Sequence, residues 1–247
     1  MLPPNSGTGS TIKDAPPTGA DGGEPAEPAS PSIASGGPRK ERNAAATRQR
    51  ILDSGEREFA ARGFAGARLR EIAEMAGVQP ALIHHYFTDK QGLYRAVLDR
   101  ALLPGSTESW TILESRHDLE GLVAGLIDVL LRFYAAHQNL LAILRHESVS
   151  GSPVLEELAR ERMLPVIEAV TRYLEERQKA GEVRDDVPAA EIIVSATAMT
   201  VYPFVEEGLI RVMLPSVITR DEASLERRKH SIVKLLLDAI RPPAPRR

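Results

Sequence analysis

The stretch from Leu69 to Lys90, LREIAEMAGVQPALIHHYFTDK, holds the side chains best suited to chemistry, and that chemistry is recognition rather than bond-making. Gln79, His84 and His85 offer donors and acceptors to base edges, and Leu82 offers an apolar contact to a thymine methyl. Arg68 and Lys90 can neutralise phosphates, Lys90 with the added help of a helix N-terminus. A metal at His84-His85 is disfavoured, because neighbouring helical residues point about 100° apart and do not converge on one ion. His146-Glu147 begins a metalloprotease-like pair, but Ser150 stands where the second His is required. There is no G-x-S-x-G and no Cys nucleophile, and the GTGST at residues 7–11 lacks the Gly-Lys that completes a phosphate loop. No enzymatic activity, metal or cofactor is expected.

Positioning those side chains requires a helix, a tight turn and a second helix. Leu69, Ile72, Ala73 and Ala76 share one face of the first helix. Gly77 supplies a backbone conformation that other residues reach only with strain. Val78 returns to the core, Pro80 opens the second helix, and Ile83 and Phe87, four apart, form its buried face. Gln79, Ala81, Leu82, His84 and His85 then face outward. This is the helix-turn-helix pattern, whose second helix enters the major groove. From Arg39 to Arg70 nine basic residues stand against four acidic ones, in a chain whose net charge is −3. That surplus suits phosphate contact, and a solvated helix face is the alternative.

The 247 residues are 43% hydrophobic, enough for one large domain or two smaller ones. The lack of Cys excludes disulfides and thiolate metal sites and suits a reducing cytoplasm, where the protein is expected. Ile192 to Val205 is the most apolar run, yet Ser195, Thr197, Thr200 and Pro203 interrupt it and it is shorter than the roughly 20 residues of a membrane span. The N-terminus lacks a signal-peptide pattern. Residues 1–42, dense in Pro, Gly and Ser, are expected to be a disordered tail. An all-α fold of about nine helices follows, with a DNA-binding domain at 43–103, a second helical domain at 104–241 and a flexible end at 242–247. Helix breaks are expected at Gly63 and Gly66, Gly77–Pro80, Thr88, Pro104–Ser106, His117, Gly151–Pro153, Ala180–Pro188 and Pro215–Arg220. Thr88 and Gln91 fit a reciprocal capping box, and Ser152-Pro153 a cap followed by proline.

The chain resembles the tetracycline-repressor (TetR) family from about Thr47 to Asp99. TRQRILDSGEREFAARGF is similar to the family's first helix, LREIAEMAGV to its second, and HHYFTDK to the end of its third and the start of its fourth. The resemblance implies a DNA-binding transcriptional regulator, a repressor that holds a palindromic operator as a homodimer and is released by a small molecule. It implies that bases are read by Gln79, Ala81, Leu82, His84 and His85 on a helix begun by Pro80. Phosphates would be held by Arg68, Tyr86 and Lys90. The family often carries Ser or Thr where Arg68 stands, and Ser where Gln79 stands.

In the second domain, helices are expected at 118–137, 139–149, 152–179 with a kink near Val166, 188–213, and 221–240. By the resemblance, the last two pair with their copies in the homodimer; an internal core helix is the alternative for 188–213. Trp110, Phe133, Tyr134, His137, Leu141, Arg145, His146, Met163 and Tyr202 interrupt apolar faces and are candidates to line an effector pocket, or else ordinary core residues. Two further readings stand beside this one: a DNA-binding regulator without a small-molecule effector, and a helical protein-interaction module.

Overall fold

The computed structural model describes residues 38–115, 118–151, 153–215, 217 and 220–242. Eleven α-helices and one π-helical stretch, with no strand, make up the described residues. They are α1 (Pro38–Gly66), α2 (Leu69–Ala76), α3 (Pro80–Phe87), α4 (Lys90–Glu114), α5 (Leu119–Ala136) and α6 (Gln138–Ser150). Then follow α7 (Pro153–Leu158), the π-helical Ala159–Met163, α8 (Leu164–Lys179), α9 (Ala189–Val205), α10 (Glu207–Met213) and α11 (Glu222–Ile240). The tail at residues 1–37, the break at His117, the Ser152 cap and the end at 243–247 lie outside the described residues.

Four expectations need correcting. First, α1 starts at Pro38, inside the predicted tail: a proline suits a first helical position, and the Arg, Lys, Glu and Ala that follow are good helix formers. Second, α4 passes through Pro104 to Glu114 instead of ending at Leu103. The Ser106 and Thr107 hydroxyls both donate to the Leu103 carbonyl at 2.9 Å, and Gly105 lets α5 approach so closely that a Cβ there would lie 3.0 Å from Phe133. Packing thus overrides the local break. Third, the irregularity in 153–179 precedes Pro165 rather than following it. Pro165 cannot donate to the Glu161 carbonyl, and Leu164 N–H reaches back to Ala159 O, a π-helical bond. Fourth, 188–213 is two helices. Pro203 leaves the Met199 carbonyl without its helical donor, and Arg228 Nη2 of α11 donates to it at 2.8 Å. The helix ends at Val205, and α10 starts after Glu206.

One continuous core joins Ile51, Leu52 and Phe59 of α1, Ile72 of α2, Ile83 of α3 and Leu93, Tyr94 and Leu98 of α4 to Leu140 and Ile143 of α6 and Leu158 of α7. The helix-turn-helix therefore rests on the body's own core and does not hang from a linker. Further apolar clusters join α5, α6, α9 and α11, and α8, α9 and α11.

An ion network ties α5 to α11. Arg132 pairs with Glu222 at 2.6 Å and Glu226 at 3.0 Å, and Asp128 accepts from Arg132 Nε at 2.9 Å and Lys229 Nζ at 3.0 Å. Burial alone would raise the Asp128 pKa, but those two cations more than offset it and hold the carboxyl below its ordinary value. Its stabilisation is therefore complete above the unfolded pKa of about 4 and is lost as pH falls through the lower folded value. Asp128→Asn is expected to destabilise by about 1 kcal/mol or less at neutral pH, since the network is partly exposed. The gap to the unsubstituted protein should start to narrow below about pH 4 in urea melts and go on narrowing as the pH falls further. A gap of constant size from neutral pH into the acid range would contradict this origin.

Candidate nucleic-acid interface and effector cavity

The reader is built from short helices with mostly short-range rules. In α2, Ile72, Ala73 and Ala76 are buried and Leu69 is half-buried. Gly77 ends the helix at φ 64°, ψ 41°, in the left-handed region, with its N–H on Ala73 O and Glu74 O. Gln79 is extended, Pro80 starts α3, and Ile83 and Phe87 are buried against the core. Gln79, Pro80, Ala81, Leu82, His84 and His85 all face solvent, Leu82 at 37% exposure. An exposed leucine amid donors is what a groove-reading helix presents before it meets DNA.

His84 Nδ1 lies 2.9 Å from the Thr88 carbonyl. A carbonyl only accepts, so Nδ1 carries the hydrogen and the outer Nε2 of the neutral ring is an acceptor. Tyr86 is half-buried, edge-on to His85 with ring centroids 5.1 Å apart. Arg68 is exposed immediately before α2. Lys90 opens α4; its Nζ donates to Ala65 O at 3.3 Å and lies 4.8 Å from the Phe64 ring centre, so its stem crosses the α1–α2 junction. The capping box expected between Thr88 and Gln91 does not form, and the cap lies one residue later. Asp89 is the cap, its carboxylate accepting from Gly92 N–H at 2.7 Å, while Thr88 takes φ 67°. The carboxylate wins because it is a charged acceptor at a helix N-terminus.

Polar links run from α4 to α1, α6, α7 and the π-helical stretch. Arg100 grips Asp53 at 2.6 Å and Glu56 at 2.5 Å on α1. Tyr94, fully buried, donates to Glu147 of α6 at 2.6 Å. Arg95 pairs with Glu157 at 2.7 Å and Glu161 at 2.8 Å, and Asp99 with Arg162 at 2.8 Å. Arg162 and Met163 of the π-helical stretch also line a cavity under α4. That cavity, about 90 Å³, shares Ser109, Leu130, Tyr134, Met163, Val166 and Ile167 with a second of about 170 Å³ bounded by α5, α8, α9 and α11. The lining is almost wholly apolar. Burial raises the pKa of the Tyr134 hydroxyl, keeping it neutral.

Of the candidate pocket residues, the structure gathers Phe133, Tyr134 and Met163 around these cavities. His137 stacks on Phe133 at 4.5 Å outside them, its Nδ1 on the Phe133 carbonyl at 2.8 Å. Leu141 and Arg145 line a separate cavity, and His146 sits against α1 with Nε2 3.2 Å from Ala60 O. Trp110 and Tyr202 are exposed, at 37% and 52%. Val166, Ile167, Ile193 and Ala196 also line the larger cavity. They went unnoticed because an apolar residue in an apolar helix carries no mark of which face surrounds a void. Among the described residues no cluster of side chains could hold a metal, and no helix is long and apolar enough to cross a membrane.

An exposed, donor-bearing second helix on a buried first one, beside a basic α1, defines a helix-turn-helix DNA-binding protein. Residues 51–97 match the model for bacterial regulatory proteins of the tetR family, and residues 120–235 match a tetracyclin repressor-like C-terminal domain. The HTH-type transcriptional repressor SCO4008 of Streptomyces coelicolor is 31% identical over 175 residues, spanning 70% of this chain and 86% of that protein. The repressor Rv1474c of Mycobacterium tuberculosis is 30% identical over 147 residues, or 59% and 73% of the two chains. Among solved structures, the ketosteroid regulator KstR2 of M. tuberculosis superposes with a TM-score of 0.63 at 16% identity over 79% of this chain and 95% of that one. FadR of Bacillus subtilis, in complex with stearoyl-CoA, does so with a TM-score of 0.60 at 17% identity, covering 78% and 98%. The chain belongs to the tetR family of bacterial regulatory proteins and is a DNA-binding transcriptional regulator.

Proposed function

We propose that the chain binds a palindromic operator as a homodimer and releases it when an apolar small molecule fills the cavity beneath α4. The carrying observation is the row Gln79, Ala81, Leu82, His84 and His85, exposed on a helix whose opposite face is buried. Leu82 meets a thymine methyl, and the outer ring nitrogen of His84 reaches a polar base edge. Arg68, Tyr86 and Lys90 hold phosphates on either side, and Pro80 sets where the reading helix starts.

The second copy covers the apolar side chains left exposed on α9, α10 and α11, among them Val194 at 62%, Val212 at 81% and Leu235 at 60%. Large apolar side chains this exposed on the last three helices suit burial against a second copy. An effector in the adjoining cavities presses on Met163 and Arg162, and so on the ion pairs that hold α4. This favours one position of α4 and, with it, one spacing of the two reading helices. The apolar lining indicates the effector's character, and the stearoyl-CoA bound by a protein of the same fold is compatible with it.

A footprint on DNA upstream of the coding sequence and on genomic fragments enriched by the protein tests this across a salt series. A protected palindrome is expected, with log K falling steeply against log salt. Lys90→Ala should flatten that slope by about 1, and His84→Ala should cost about 1–3 kcal/mol at particular bases only. Binding indifferent to both substitutions would place the reading surface elsewhere.

A further inference from the structure

A second, polar cavity of about 350 Å³ lies between α6, the end of α9 and α10, lined by Gln138, Arg145, Phe204, Glu207, Arg211 and Arg220. It is separate from the apolar cavity. Tyr134 lines that one and Phe204 lines this one, with their rings 6.3 Å apart. Three guanidinium groups meet one carboxylate here. Glu207 takes Arg211 on one oxygen and Arg220 on the other, so its lone charge is shared by two cations. Arg145 is exposed on α6 and forms no ion pair among the described residues. Arg220 Nε is buried and has no hydrogen-bond partner among the described residues. Buried donors are rarely left so, and the cavity holds positive charge in excess of its one acid.

We propose that this cavity is a binding site for a compact multivalent anion of carboxylate or phosphate chemistry. Guanidinium groups present paired N–H donors in a plane that matches both headgroups. The anion would complete Arg220 and engage Arg145, while the Gln138 amide adds a polar contact. Leu141, Ala142 and Val205 add apolar lining that suits a short carbon chain. An anion so placed joins α6 to α10. The site does not depend on DNA binding or on the apolar effector.

Calorimetric titration of the full-length protein with orthophosphate and with glutarate, each against chloride at matched ionic strength, tests this. Saturable binding of one anion per chain is expected, and which anion binds separates the two chemistries. Arg145→Gln, which breaks no ion pair, should weaken binding at least tenfold with an unchanged melting temperature. Arg220→Lys keeps the charge near Glu207 but removes the Nε donor, and should weaken it as well. No saturable heat beyond the chloride control would overturn the proposal; an acidic side chain from a second copy would then be the better occupant. Binding that survives both substitutions, as at the phosphate-holding face of the reader, would overturn it equally.

Discussion

Gly92→Ala is expected to cost about 3 kcal/mol or more and to abolish operator binding, although it adds only one methyl group. A Cβ at that position would lie 2.1 Å from the Phe87 carbonyl oxygen and 3.2 Å from its carbon. Those are backbone atoms at the end of the reading helix, so no side-chain rotation can relieve the overlap. The same residue gives its N–H to the Asp89 cap at 2.7 Å, and Asp89 N–H reaches Phe87 O at 2.7 Å. Moving one group therefore disturbs the whole corner that sets α3 against α4. Urea unfolding and a gel-shift titration check both halves. A variant with the parent's midpoint and affinity would show that the corner is looser than this geometry.

The second large effect is Phe59→Ala, expected to lower stability by about 3–5 kcal/mol. Phe59 is fully buried, edge-on to Tyr94 at 4.8 Å and stacked with Phe64 at 6.3 Å. Through Tyr94 and Glu147 this cluster holds α1, α4 and α6 together. The loss should appear as a shifted urea midpoint with an unchanged slope, since the unfolded surface barely changes. A loss below about 1 kcal/mol would mean that the neighbours collapse into the void, and that the reader is less firmly seated on the body than described. Phe59→Leu should recover much of the deficit, because it restores most of the volume without the ring contacts.

How much was legible in the sequence differs between the two halves of the chain. From Leu69 to Phe87 the structure matches the reading almost residue by residue: Ile72, Ala73, Ala76, Ile83 and Phe87 inward, Gln79, Ala81, Leu82, His84 and His85 outward. In the body, helix existence was legible and helix ends at proline were not. Pro104 was expected to end α4 and does not, whereas Pro203, expected to lie within a helix, comes two residues before one ends. The residues that support the reader, Gly92, Phe59, and Tyr94 with Glu147, carry no local signal, because their partners lie across the fold.

What the sequence by itself determined is the all-helical class, the helix-turn-helix and its exposed row, and the family. These rest on periodicity, a left-handed glycine and a proline start, all of which act within a few residues of the chain. Only the tertiary structure decided where α4 ends, which apolar residues surround a void and which make core, and that Arg145 joins Arg211 and Arg220 instead of the apolar cavity. The reason is physical. A helix face is legible from spacing, but a cavity is a gap between several faces, and its walls depend on how α5, α8, α9 and α11 pack, which no single segment encodes.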